Sequence, residues 1–381
     1  MPTLITNAEV FGPEPLGRQQ ILIDGSRIAA VAEDIDLKGA ELTTVDAEGA
    51  YVTPGFVDAL THPCGGGGEG GFQNRTAEVS FETFVGAGVT SPVGALGTDS
   101  ITRSLDVLFG NVMQLRRQGL AAFMYTGSYR VPANTLTGDV ARDVTLIDPV
   151  IGVGEVAIAD HRSSQPTICE LRRLAADARL GGIIGGKSGV VLVHVGDGRD
   201  GLARIREAID GSELPARSFY PTHANRNRRL FEEAVEFSAR GGFIDFTAST
   251  VPEFIDGGEL PALQALDEAI RAGAPPERLT ISSDAGGSLP VYRDGELTGL
   301  TAAAPDVMLD TLLEAMERAP DDFATVVAAL TRNPADALGL PRKGRIAAGF
   351  DADILIIDSN SRALSDVLCG GEFLMRRGTI H

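Results

Sequence analysis

Apolar and polar positions follow two rhythms along this chain. Near both ends, short apolar runs are broken by Gly, Pro and Asp: TLITNAEVF (3–11), QILID (20–24) and RIAAVA (27–32) at the start, ADILIID (352–358) and EFLMRRGTI (372–380) at the close. Runs of this kind predict short strands joined by tight turns. Their shared style predicts that the two ends build one small β-domain, a sandwich of residues 1–53 and 342–381.

Between them, eight apolar runs recur: GFVDALTH (55–62), VTSPVGALG (89–97), AAFMYTGSY (121–129), VIGVGEVAIAD (150–160), GVVLVHVG (189–196), SFYPTHAN (218–225), GFIDFTAS (242–249) and LTISSDAG (279–286). The segments separating them, such as 103–119, 168–182 and 227–242, carry apolar residues every three or four positions and end in glycine, as amphipathic helices do. Eight strands with interposed helices predict an α/β fold, a (β/α)8 TIM barrel over 54–341. The weakly patterned stretch 286–304 reads as a loop after the eighth strand.

Composition narrows the function classes. With 33 Lys plus Arg against 52 Asp plus Glu, the formal net charge is −19, which repels phosphate backbones and anionic membranes, so neither nucleic acid nor a membrane is an expected partner. No run is long and apolar enough to span a bilayer, and no basic leader opens the chain. Three widely spaced cysteines, Cys64, Cys169 and Cys369, argue for a reducing compartment. A cytoplasmic protein acting on a small molecule is expected.

In a barrel, chemistry gathers at the C-terminal ends of the strands. There the chain places His62, Thr98, Tyr129, Glu155, Asp160, His161, His194, His223 and Asp284, so four of its five histidines fall at or just beyond strand ends. Glu155 lies inside an apolar run, where an ionised carboxylate needs a cation or donors to meet it. Joined by His194 and His223 it makes a ligand set suited to Zn²⁺ with a position left for water. Asp284 is placed either to bind metal or to take a proton from that water.

The motifs GGGGEGG (65–71), GTDS (97–100), TGSYRVP (126–132), IADHRSS (158–164), HVGD (194–197), PTHANRN (221–227) and SSDAGGS (282–288) resemble those of the amidohydrolase superfamily, and within it the isoaspartyl (β-aspartyl) dipeptidases. The resemblance implies that His194 and His223 are metal ligands and that Asp284 is the metal-contacting general base. It implies that Tyr129 polarises the scissile carbonyl, that Arg162 and Arg226 grip a substrate carboxylate, and that Glu69 holds the substrate ammonium, with Thr98 and Ser288 as further contacts. Asp160 and His161 are read as groups that orient their loop.

Two positions depart from that family. Leu60 stands where the first histidine of a His-x-His pair is expected, and Glu155 stands where a carboxylated lysine bridges two metals. The first metal therefore keeps only His62, Asp284 and a share of Glu155, so one tightly bound Zn²⁺ is expected, with a second site weakened. The implied activity is hydrolysis of the isopeptide amide of a β-aspartyl dipeptide or a similar amino-acid-derived substrate, in a homo-oligomer. The alternatives are changed chemistry on the same fold, such as a deacetylase, deaminase, lyase or isomerase, and a non-catalytic homologue.

Overall fold

Strands covered on both faces have no wet side, so their sequences are apolar throughout rather than alternating. That is the condition of the eight central strands, Phe56–Thr61, Val89–Gly94, Phe123–Thr126, Val150–Ile158, Val190–Val195, Phe219–Thr222, Ile244–Thr247 and Leu279–Ser282, in which every residue but Phe123 is buried. The structure, a computed structural model, describes residues 1–37, 39, 41–293 and 296–381. Each of the eight apolar runs contains one of these strands.

The first six pair in chain order as one curled parallel sheet, and the last two form another. Backbone bonds join the two into a ring: the Asp284 amide donates to the Leu60 carbonyl at 3.1 Å, the His62 amide to Ala285 at 2.6 Å, and the Ala224 amide to Asp245 at 3.0 Å. Helices cover the outside. Leu105–Arg117, Ile168–Gly185 and Arg228–Ala239 start at Ser104, Thr167 and Asn227, whose side chains accept from the first-turn amides that the helix itself leaves unpaired.

Both termini contribute to a separate nine-stranded sheet, which includes Thr3–Phe11, Pro15–Asp24, Arg27–Ala32, Ile354–Ile357, Leu364–Cys369 and Glu372–Arg376. One expectation is corrected. Residues 286–304 are not a plain loop: Ser288–Arg293 and Glu296–Ala302 pair as an antiparallel hairpin. The first of these strands has no fully buried position, so no core periodicity marks it in the sequence. Among the described residues no helix is long and apolar enough to cross a membrane.

Lys343 fastens the end of the barrel segment to the terminal sheet. Its ammonium lies 2.6 Å from Asp353 and 3.1 Å from Asp351, with 11% of the lysine side chain and 4% of the Asp353 side chain exposed. Lys343→Met leaves a buried carboxylate without its cation, and breaking a buried pair from one side costs about 3–5 kcal/mol. Equilibrium denaturation should register that loss, and a change under about 1 kcal/mol would refute the role.

Candidate active site

The C-terminal mouth of the barrel opens into a cavity of about 570 Å³. Ten of the eleven residues to which the sequence assigned a metal, catalytic or substrate-binding role line it: His62, Glu69, Thr98, Tyr129, Arg162, His194, His223, Arg226, Asp284 and Ser288. Glu155, 1% exposed, sits directly behind them. The cis Gly154–Glu155 peptide lies in the fourth strand, and a Cβ on Gly154 would come within 2.7 Å of Leu192, so only glycine lets the fourth and fifth strands approach so closely there.

Around Glu155 three buried side chains converge. Its Oε1 is 2.8 Å from His194 Nδ1 and 3.2 Å from His223 Nε2, and donor atoms of all three residues fall within 4.8 Å of one another. Its Oε2 has no hydrogen-bond partner. An orphaned carboxylate oxygen at this depth, beside two imidazole nitrogens, fits a divalent cation bound by one carboxylate and two histidines. Burial pushes the Glu155 carboxyl up, but His194 and His223 outweigh it and hold the group well below the usual range. Burial, with Arg226 and His194 nearby, lowers His223 to about 4, which keeps the imidazole neutral. Neutral imidazole is the form that ligates metal.

The supporting contacts set ring orientation. His223 Nδ1 lies 2.6 Å from the Thr247 hydroxyl, leaving Nε2 for the shared centre. His194 Nδ1 is also 2.8 Å from the Tyr129 hydroxyl, and its Nε2 is 3.0 Å from Asp160. Burial and the Glu155 charge raise the Tyr129 phenol well above its ordinary range, so it remains a donor. His223 and Asp284 both adopt left-handed backbone angles, φ 60 and 57. Non-glycine residues held there cost on the order of 1 kcal/mol or more and gather at functional sites.

His62 bridges two carboxylates. Its Nδ1 lies 3.0 Å from the Ala95 carbonyl, and its Nε2 is 3.1 Å from Asp284 Oδ1 and 3.7 Å from Glu155 Oε2. Burial lowers this histidine, but Asp284 and Glu155 outweigh that and carry it up to about 9. Position 60 is a fully buried leucine that packs with the apolar residues inside the barrel.

Below the site a polar layer ties the strands together. Asp245 accepts from Thr222 at 2.7 Å, Ser282 at 2.6 Å and Thr280 at 2.7 Å, while Asp58 accepts from the Ser283 amide at 3.0 Å and from its hydroxyl. Asp284, the next residue, is thereby anchored from the first strand.

Beside this cluster, Glu69 Oε1 accepts from Thr98 at 2.9 Å and from Arg162 at 2.8 Å, while Glu69 Oε2 has no partner. Arg162 is already forked onto Asp160 at 3.0 and 2.7 Å. Arg226 makes no ion pair among the described residues; its guanidinium lies 3.4 Å from His194 Nε2. The exposed His161 side chain stands 3.6 Å from Asp160.

Two groups make contacts that the sequence did not assign them. Asp160 does more than orient its loop, since it touches both His194 and Arg162. Arg103, 8% exposed, grips the glycine loop that carries Glu69: it donates to the carbonyls of Cys64, Gly66 at 3.1 Å and Thr76 at 2.9 Å. Thr76 then bridges the Gly66 amide and the Gly286 carbonyl, both at 2.6 Å. An arginine that pairs only with carbonyls leaves no charge pattern in a sequence. Arg103→Gln should raise KM about tenfold with kcat little changed, because released carbonyls loosen the loop without touching the reacting atoms. Steady-state kinetics tests this, and an unchanged KM would refute it.

Comparisons with known proteins bear on the family and the fold. The sequence profile of the amidohydrolase family matches residues 51–374. A crystal structure of a β-aspartyl dipeptidase from Fervidobacterium islandicum AW-1 is 41% identical, covers 100% of this chain and 99% of its own, and superposes with a TM-score of 0.90. The same organism's β-aspartyl dipeptidase in complex with a β-Asp-Leu dipeptide is 42% identical, with a TM-score of 0.91 and coverage of 100% and 98%. A deacetylase from Agrobacterium fabrum is 25% identical over 373 residues, 94% of this chain and 83% of the relative.

Proposed function

Because the chain belongs to the amidohydrolase family, we propose that it is a metal-dependent hydrolase cleaving the isopeptide amide of β-aspartyl dipeptides. The observation that carries this reading is the convergence of Glu155, His194 and His223 on one cavity whose lining also offers the unpaired Glu69 Oε2 and, beside His194, the Arg226 guanidinium. A polar lining with one free carboxylate oxygen and one unpaired guanidinium suits a zwitterion.

Glu155, His194 and His223 would hold one tightly bound divalent cation, proposed to be Zn²⁺. Bound there, it supplies electrophilic polarisation of the scissile carbonyl and lowers the pKa of a neighbouring water. Asp284 accepts the proton of the attacking water on a carboxylate oxygen and delivers it to the leaving amine nitrogen. Tyr129, kept protonated by burial, donates its hydroxyl to the oxygen that gains charge. Glu69 receives the substrate ammonium, positioned by Thr98 and Arg162, and Arg226 pairs with a substrate carboxylate, with Ser288 beside it. His62 holds Asp284 from the side where Leu60 removes a ligand, which supports one tight ion rather than two.

The likeness to two β-aspartyl dipeptidase structures over the whole chain favours hydrolysis over changed chemistry or a non-catalytic role. The homo-oligomeric state and cytoplasmic location rest on the family resemblance and on thiols that form no disulfide among the described residues. The test is incubation with β-Asp-Leu and α-Asp-Leu in the presence of Zn²⁺, Mn²⁺ or Co²⁺. Release of leucine from the β-linked dipeptide alone is expected, and no turnover with any of the three ions would overturn the assignment.

A further inference from the structure

The opposite face of the barrel carries a second cavity, of about 480 Å³, within the roughly 300–1,000 Å³ usual for small-molecule sites. Gly189, Ser218, Phe243 and Arg278 line it, and each immediately precedes one of the fifth to eighth strands. It lies at the N-terminal ends of those strands, remote from the catalytic mouth.

Four cations face this cavity in a chain whose net charge is −19: Arg179, Lys187, Arg217 and Arg278. Arg179 and Arg217 make no hydrogen bond or ion pair among the described residues. Arg278 lies over the Phe243 ring at 4.6 Å, with no carboxylate. The Lys187 ammonium donates to the Ile147 and Val150 carbonyls at 2.6 and 2.9 Å and makes no close ion pair among the described residues, Asp148 being the carboxylate that acts on it from farther off. Two acidic residues line the cavity, Glu277 and Asp336, and Asp336 is already forked onto Arg345 at 3.0 and 2.8 Å.

A different observation points the same way. Ser218 is 4% exposed, and its hydroxyl has no hydrogen-bond partner. Buried hydroxyls are normally paired, so Ser218, which lines the same cavity as the unpaired arginines, keeps a donor without a protein partner. Like charges gathered in a concavity raise a positive potential that a polyvalent anion relieves, and guanidinium forks match tetrahedral oxyanions. A neutral ligand would leave that charge unmatched, and a metal ion would add to it.

We infer that this cavity is a binding site for a small phosphate-bearing anion, held by Arg179, Arg217, Arg278 and the Ser218 hydroxyl. The fifth and sixth strands run from this face to His194 and His223, five residues and roughly 16 Å away at about 3.3 Å per residue. Occupancy would brace the ends of the strands that carry the two histidines.

Calorimetric titration of the holoenzyme with pyrophosphate at fixed ionic strength tests the site. One saturable event is expected, weakened tenfold or more in the Arg179→Ala/Arg217→Ala double variant, whose anion-free kcat stays at the wild-type value. Because pyrophosphate also ligates divalent ions, Glu155→Ala serves as the control and should retain the event. Citrate should bind at least tenfold more weakly. The inference is overturned by unsaturable binding, by equal affinity in the double variant, by loss of the event in Glu155→Ala, or by citrate binding as tightly as pyrophosphate.

Discussion

Glu155→Ala is expected to strip the protein of its tightly bound divalent ion and to lower kcat/KM for β-Asp-Leu by about 10³-fold or more, since a catalytic cation supplies several kcal/mol of transition-state stabilisation. The reason lies in the donor set. Glu155 Oε1 links His194 to His223, and that residue supplies the one buried negative charge the three share. Without it, the two imidazoles remain, held by Tyr129, Asp160 and Thr247. Those contacts keep both rings in place, so the folded state should survive. Elemental analysis of protein purified without chelator checks the prediction. Near one ion per chain is expected for the wild type and under about 0.1 for the variant. Retention of the ion with activity within tenfold of wild type would remove Glu155 from the metal site.

Much of this site could be read before its geometry was known, for identifiable reasons. A strand such as Val150–Ile158, buried at all nine positions, must be apolar, so Glu155 stands out in it as a charge that needs a partner. Histidines are scarce in this chain, and four of the five close apolar runs at the mouth of the barrel. What could not be read is the support beneath. Thr247 orients His223, Ser283 and Asp58 anchor Asp284, and Arg103 fixes the Glu69 loop through carbonyls. Each is a polar residue whose partner lies far along the chain, and nothing in local periodicity encodes such a pairing. The 288–302 hairpin escaped for another reason, since its first strand buries no face fully and so carries no alternating pattern. The motif resemblance gave both Arg162 and Arg226 a substrate carboxylate; Arg162 spends one hydrogen of each nitrogen on Asp160 and Glu69, a pairing no local pattern announces. Arg226 makes no ion pair among the described residues.

Asp284→Asn should separate proton transfer from metal binding. Asp284 holds a left-handed backbone, φ 57, with its amide bonded to Leu60 and its carbonyl accepting from Gly287 at 2.8 Å. Asparagine tolerates that conformation as readily as aspartate does, so the chain should not shift. Gly286 nearby cannot be replaced so freely, because at φ 82 a Cβ would lie 2.3 Å from the His62 carbonyl. The amide nevertheless cannot take the proton of an attacking water, nor return one to the leaving nitrogen, and a positioned acid–base group contributes about 10²–10⁴-fold. The substituted side chain lies outside the Glu155, His194 and His223 set, so the ion should stay at one per chain. Turnover of β-Asp-Leu should therefore fall by that factor in kcat with KM changed little, because Glu69 and Arg226 still hold the substrate ends. Two results would refute the role: a kcat within tenfold of wild type, or an ion lost along with the activity, which would make Asp284 a ligand first and a base second.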